Sequence, residues 1–158
     1  MTLFSPDRRS WLTPLLHLYW RVSRGMTLGV RACVVDSGGA ILLVRHSYTP
    51  GWHFPGGGVE VGQTLEEALA DELRQEAHVE MTAPPHFEGM YLNARTSRRD
   101  HVALYRIEAW TQPTPFVPTR EIVEARFFGR GDLPEGITRG TRERLAELFE
   151  DRPRSAHW

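Results

Sequence analysis

Cysteine is almost missing from this chain of 158 residues. Cys33 stands alone, which excludes an internal disulfide and fits a reducing cytoplasm; within the apolar run Val30 to Val35 it reads as a small buried hydrophobe. Net charge is nearly missing as well. A formal balance of −1 leaves no general electrostatic grip on DNA, RNA or an anionic membrane, so no polymeric nucleic acid is expected as a partner. Long apolar runs are missing too. The most apolar segment, Trp11 to Trp20, is broken by Pro14 and His17 and falls far short of the ~20 residues that span a bilayer. Although Arg8-Arg9 precede it, no small-residue cleavage site follows, so it is not read as an export signal. Internal repeats are also absent.

What is present is globular: 41% hydrophobic and 25% charged residues, enough for one ordinary domain with a sizeable core. Leu12, Leu15, Leu16, Tyr19 and Trp20 recur at helical spacing with Arg21 and Arg24 after them, which predicts a short amphipathic helix. Such a helix packs against the domain or a second copy of the chain, or makes membrane contact through residues 11–24; the remaining alternative is that the segment is disordered. The chain divides into an N-terminal helical extension (1–25), a domain (26–152) and a short tail (153–158).

Within the domain, Met26 to Val35 and Ala40 to Val44 read as strands joined by the turn Asp36-Ser37-Gly38-Gly39, a hairpin. Glycine, proline and aromatics between Tyr48 and Gly62 predict a loop without regular structure that approaches something closely. Thr64 begins a helix, capped by its own hydroxyl and by Glu67 three residues on. His86 to Asn93 and Asp100 to Trp110 predict a second hairpin around Ala94 to Arg99. The proline-rich stretch Gln112 to Thr119 is a surface connection, Glu121 to Phe128 a strand and Gly140 to Glu150 a helix. This order implies an α/β (α+β) layered fold with a mixed central sheet.

The chemistry is suggested by the helix after Thr64. At ~100° per residue, Leu65, Ala68, Leu69, Leu73 and Ala77 share one broad arc, and Glu72 and Glu76 fall inside it. Two carboxylates one turn apart on a core-facing side lose hydration and need a partner: a cation, or an arginine such as Arg31 or Arg45. The segment Trp52-His53-Phe54-Pro55-Gly56-Gly57-Gly58 lies immediately before them, with backbone groups that glycine leaves open to a ligand. Hard oxygen ligands beside open backbone suit Mg²⁺, whose octahedron water and phosphate oxygens complete.

These residues resemble the box of the Nudix hydrolases: Gly, five residues, Glu, seven residues, then Arg-Glu-apolar-any-Glu-Glu-any-Gly-apolar. Gly57, Glu72, Leu73, Glu76 and Val79 match it in register; Gln63, Asp71, Gln75 and His78 depart from it. The likeness extends over roughly Thr27 to Glu150, including the strand Glu121 to Phe128 and the following Asp132-Leu133-Pro134. It implies an α/β/α sandwich and a cytoplasmic Mg²⁺-dependent hydrolase (Mn²⁺ as substitute) of a nucleoside diphosphate linked to another moiety.

By position, the resemblance makes Glu72 and Glu76 metal ligands, one of them a candidate base, with the Gly56 carbonyl and Gln75 as further ligands. Gly57 and Gly58 would admit the pyrophosphate, and Glu121 or Glu124 would supply an auxiliary ligand or the base. Arg45 and His46 are candidates to face phosphates, Trp52, His53 and Tyr91 to stack on a base or sugar, and Arg95, Arg98 and Arg99 to hold a polyphosphate. The substitutions at Gln63, Asp71 and Gln75 keep a rival open, a Nudix fold that binds a nucleotide or a protein without cleaving it.

Overall fold

The computed structural model describes residues 12–158; the segment carrying Arg8, Arg9 and Trp11 lies outside them, as do the side chains of Leu12 and Leu15. Helix α1 (Leu12–Ser23) forms as its periodicity predicts. Among the described side chains, Leu16, Leu18, Tyr19, Trp20 and Val22 are all exposed, so these five do not pack against the domain as expected. The helix meets the domain through Arg99, which donates to the Val22 carbonyl at 3.4 Å. No helix among the described residues is long and apolar enough to cross a membrane.

The domain runs β1 (Thr27–Val34), β2 (Ile41–His46), β3 (Trp52–His53), α2 (Leu65–Ala77), β4 (Glu80–Met81), β5 (His86–Leu92), β6 (Asp100–Ile107), β7 (Trp110–Thr111), β8 (Ile122–Phe128) and α3 (Arg139–Phe149). A mixed sheet has the order β1-β6-β5, a second has β3-β2-β8, and β4 pairs with β7. Side chains alternate across β1: Val30, Ala32 and Val34 pack with Leu69, Leu73 and Ala77 of α2, while Cys33 joins Leu104, Ile41 and Leu145 of α3. Two buried layers therefore flank the strands, the α+β layering that the element order implies.

The first expected hairpin does not form as such. Asp36 makes the turn, its Oδ1 accepting from the amides of Gly38 and Ala40 at 2.9 and 2.8 Å, and Val35 bridges Ile41. Beyond that point the strands part into different sheets. Both edges of β1 are already taken: β6 pairs along one in parallel, and the glycine loop lies along the other, with Val30 N donating to Gly57 O and Ala32 N to Pro55 O, both at 2.9 Å. β2 turns instead to β8 and to β3, a two-residue strand within the stretch expected to lack regular structure. The second hairpin, β5 with β6, pairs antiparallel as predicted, but β6 stops at Ile107 and Trp110 begins β7.

α2 starts and stops as its sequence signals. Thr64 Oγ1 accepts from Glu67 N and the Glu67 carboxylate accepts from Thr64 N at 2.8 Å, closing the capping box. The helix ends at His78, whose φ of 55° is left-handed. Glycine there should relieve roughly 1 kcal/mol of backbone strain. His78→Gly is therefore expected to raise stability in urea unfolding, even though it gives up the Nδ1 contacts to Thr114 and Pro115; a variant no more stable than the wild type would overturn the expectation.

Residues 153–158 are not a free tail. Leu92 N donates to Ala156 O at 2.9 Å and Trp158 N donates to Leu92 O at 3.0 Å, a parallel bridge on the edge of β5.

Candidate functional site

α2 carries Glu72 and Glu76 into a cavity of about 250 Å³ beside the glycine loop. Glu76 is 5% exposed, and its Oε2 accepts from the Gly56 amide at 2.7 Å. Burial pushes its carboxyl up to about 7, against the pull of the Gly56 bond and the nearby Arg31 guanidinium. Glu72 is half-buried and raised by the same burial, with Arg31 again opposing. Neither pairs with an arginine among the described ion pairs, so the arginine alternative for these two carboxylates is not realised. The nearest cationic candidate to Glu76 is His46 Nε2, 3.6 Å from Oε1. Burial, Arg31 and His53 hold the His46 ring below the usual histidine range, which leaves it neutral near pH 7.

The loop fits this pair closely. A Cβ on Gly57 would collide with the Glu72 carboxylate, and one on Gly56, whose φ is +138°, would collide with the Val30 carbonyl. Gly57→Ala is therefore expected to push the Glu72 carboxylate out of place and lower turnover at least ~10-fold while the protein still folds. A kinetic assay beside a thermal melt checks both halves of that expectation.

The opposite rim comes from Tyr48, Thr49, His53 and Glu121, with Tyr48 donating to Glu121 Oε1 at 3.0 Å. Arg31 also lines the cavity; its Nη1 donates to the Gly56 carbonyl and, at 3.2 Å, to that of Phe54. In the sequence Arg31 stands out only as a neutraliser of glutamates, and neither Tyr48 nor Thr49 stands out as a site residue. One signal was available: a lone charge inside the apolar β1.

Several candidates lie elsewhere. Glu124 is not in the cavity but pairs with Arg45 at 2.6 Å, because the two face each other across β2 and β8. Arg45 is thereby turned from the phosphate position expected of it. Tyr91 is 2% exposed, donates to Glu147 at 3.1 Å and stacks on nothing from outside, so it is a core residue and not a substrate platform. Trp52 is buried edge-on to Phe128. Gln75 is exposed and lines a separate hollow with Gln63, Asp71 and the far side of Glu72, so it is not brought together with Glu76 as a metal ligand. Within that hollow Gln63 Nε2 donates to Asp71 Oδ2 at 2.9 Å, and Arg74 donates to the other oxygen of the same carboxylate. The amide and the acid thus tie loop to helix by a hydrogen bond. Gly58 is open, with nothing near its missing Cβ, and His53 stays at the cavity.

A wider chamber of about 520 Å³ adjoins the cavity, sharing Arg31, Thr49, His53, Gly57 and Gly58 with it. Its far side is formed by Asn93, Arg95, Asp100 and the start of α3. Of the hairpin-tip arginines, Arg95 reaches this chamber, whereas Arg99 is turned to α1.

The donor set suits an ion that is shared with a ligand. Among the described residues no three or more His, Cys, Asp or Glu side chains converge enough to hold a metal unaided. Mg²⁺, however, is commonly held by one or two carboxylates, with water and phosphate oxygens filling the rest of its octahedron. Glu72 and Glu76 fit that role. Arg31 occupies one acceptor position of the Gly56 carbonyl, which leaves that oxygen less available than the resemblance implies.

A model of the NUDIX domain matches residues 25–149. The chain belongs to the Nudix family. Its class is accordingly that of a Nudix pyrophosphohydrolase, acting on acid anhydrides. Among solved structures, a MutT NUDIX hydrolase from Burkholderia pseudomallei superposes with a TM-score of 0.66 at 23% identity, over 77% of this chain and 97% of that one. An ADP-ribose pyrophosphatase from Streptococcus suis 89-1591 gives 0.62 at 27% identity, over 84% and 95%. A UDP-X diphosphatase gives 0.60 at 20% identity, over 88% and 71%. No curated protein matches the chain.

Proposed function

We propose that this Nudix chain is a hydrolase of a nucleoside diphosphate linked to another moiety, dependent on Mg²⁺ with Mn²⁺ as a substitute. The observation that carries the reading is the charge of the cleft. Glu72, Glu76 and Glu121 all line it, against Arg31 and two histidines held neutral, so an ionised cleft is net acidic. A diphosphate would be repelled from such a site unless a cation came between them. The adjoining chamber then has room for the group that the diphosphate carries.

Glu72 and Glu76 would hold the metal, which when bound would neutralise the diphosphate and make water easier to deprotonate. Arg31 balances phosphate charge beside the open backbone of Gly57 and Gly58. Glu121, on the facing rim, takes the proton from the attacking water. The structural relatives that are an ADP-ribose pyrophosphatase and a UDP-X diphosphatase support a substrate of this class.

The test is a panel of nucleoside diphosphate sugars, dinucleoside polyphosphates and nucleoside triphosphates, incubated with Mg²⁺, with Mn²⁺ or with EDTA. Release of a nucleoside monophosphate that stops with EDTA is the expected result. No turnover of any member with either ion would overturn the reading. The position of Gln75 outside the cleft favours one rival, a module that binds a nucleotide without cleaving it. Calorimetric binding of intact substrate without turnover would identify that rival.

A further inference from the structure

The wider chamber has an aromatic wall that comes from the far end of the sequence. Two main-chain bonds hold residues 156–158 on Leu92, the Arg144 guanidinium donates to the His157 carbonyl at 2.7 Å, and Ser155 N donates to Glu147 at 2.9 Å. So fixed, the Trp158 indole lies against Gly140 at the start of α3, where any Cβ would collide with it, and meets Tyr91 edge-on at 5.7 Å. Gly140 thus makes room for the ring. Trp158 nevertheless stays only half-buried and lines the chamber. Phe54, the other large aromatic on that lining, is wholly buried and has no surface to offer. A flat, partly exposed indole in a chamber continuous with a diphosphate cleft is suited to a flat aromatic ligand.

We propose that Trp158 is a specificity-determining residue, whose indole stacks on the base of the nucleotide. This rests on the function proposed above and adds which end of the substrate fills the chamber: the nucleoside, with its base at the wall that Trp158 forms. Arg95 and Arg139 flank the same wall with hydrogen-bond donors for base carbonyls.

The test compares nucleoside 5′-monophosphates with ribose 5-phosphate by calorimetry, using the full chain, Trp158→Phe and Trp158→Leu. Wild type is expected to bind the nucleotides more tightly than the ribose phosphate. Trp158→Leu, which keeps an apolar side chain but no π face, should weaken nucleotide binding about 10-fold or more and leave ribose 5-phosphate unchanged; Trp158→Phe should retain most of the affinity. In turnover the Leu variant should raise KM and leave kcat within about twofold, as expected for a contact that only holds the substrate. The wild-type comparison decides even if the Leu variant does not fold: equal binding of nucleotide and ribose phosphate overturns the proposal. So does a Leu variant that binds nucleotides like wild type, or one that loses both ligands equally. A chain that hydrolyses diphosphates with the Leu variant unchanged removes this inference alone. A chain that binds nucleotides through Trp158 but cleaves nothing removes the hydrolase reading alone.

Discussion

Glu76→Gln is expected to lower metal-dependent hydrolysis at least ~100-fold and, at pH 8, to make the protein more stable. The two effects share one cause. Burial raises the Glu76 carboxyl to about 7, so the folded chain keeps this proton to a higher pH than the unfolded chain does. The stability associated with that proton is complete below the ordinary glutamate range, near pH 4.5, and is lost as pH rises through about 7. A span of that size corresponds to on the order of 3 kcal/mol. Glutamine mimics the protonated acid, and its carbonyl can still accept from Gly56 N, so the variant escapes the loss. Urea unfolding in EDTA should therefore show the two proteins alike near pH 4 and the variant ahead at pH 8. Added Mg²⁺ should narrow the gap, because an ion that binds the ionised carboxylate stabilises only the wild type. A stability difference that does not change with pH, or undiminished turnover by the variant, would remove Glu76 from its assigned place.

Arg144→Ala is expected to cost roughly 3–5 kcal/mol, the range for breaking a buried ion pair by removing one partner. Arg144 is 1% exposed; its Nη2 donates to Glu147 Oε1 at 2.6 Å, and its guanidinium lies 4.4 Å from the centre of the Tyr91 ring. Alanine would leave the buried Glu147 carboxylate without its cation, held only by Tyr91 and Ser155 N, and would release the His157 carbonyl and leave a void under Trp158 at once. Replacing both charges, as in Arg144→Met with Glu147→Leu, should cost much less than the single change, since no unpaired charge remains. Denaturant midpoints of the wild type, the single variant and the double variant check this. Equal losses in single and double variants would show that the pair matters only through its packing.

What could be read in the sequence was what neighbouring residues decide. Thr64 and Glu67 set the start of α2 three residues apart, the apolar spacing from Leu65 to Ala77 set its buried face, and the turn after Leu92 set the pairing of β5 with β6. The inward aim of Glu72 and Glu76 belongs to the same local periodicity. Features that depend on distant partners could not be read. Nothing between Val30 and Val44 announces that β6 and the glycine loop have taken both edges of β1, and so the expected hairpin opens into two sheets. Arg45 and Glu124 are 79 residues apart, and only the β2–β8 register places them opposite each other. Tyr91 carries the composition of a stacking residue, but its hydroxyl is anchored by Glu147 of a helix that lies 56 residues further along. Trp158 is the converse case, an aromatic in an apparent tail that long-range bonds bring to the edge of a chamber.

The glycine loop bonds to β1 as a strand would, with Gly29 bridging Gly58, Val30 bonded to Gly57 and Val59 to Leu28. A ladder of that kind does not slide by fractions; the next register that keeps the same faces lies two residues away, nearly 7 Å along the strand. The floor of the cleft can therefore let go or stay, but it cannot adjust in small steps to ligands of different length. Tolerance for varied substrates has to reside in the parts that hang over that floor, such as the loop bearing Tyr48 and the turn around Arg95, and evolutionary retuning of selectivity would be expected to work there first.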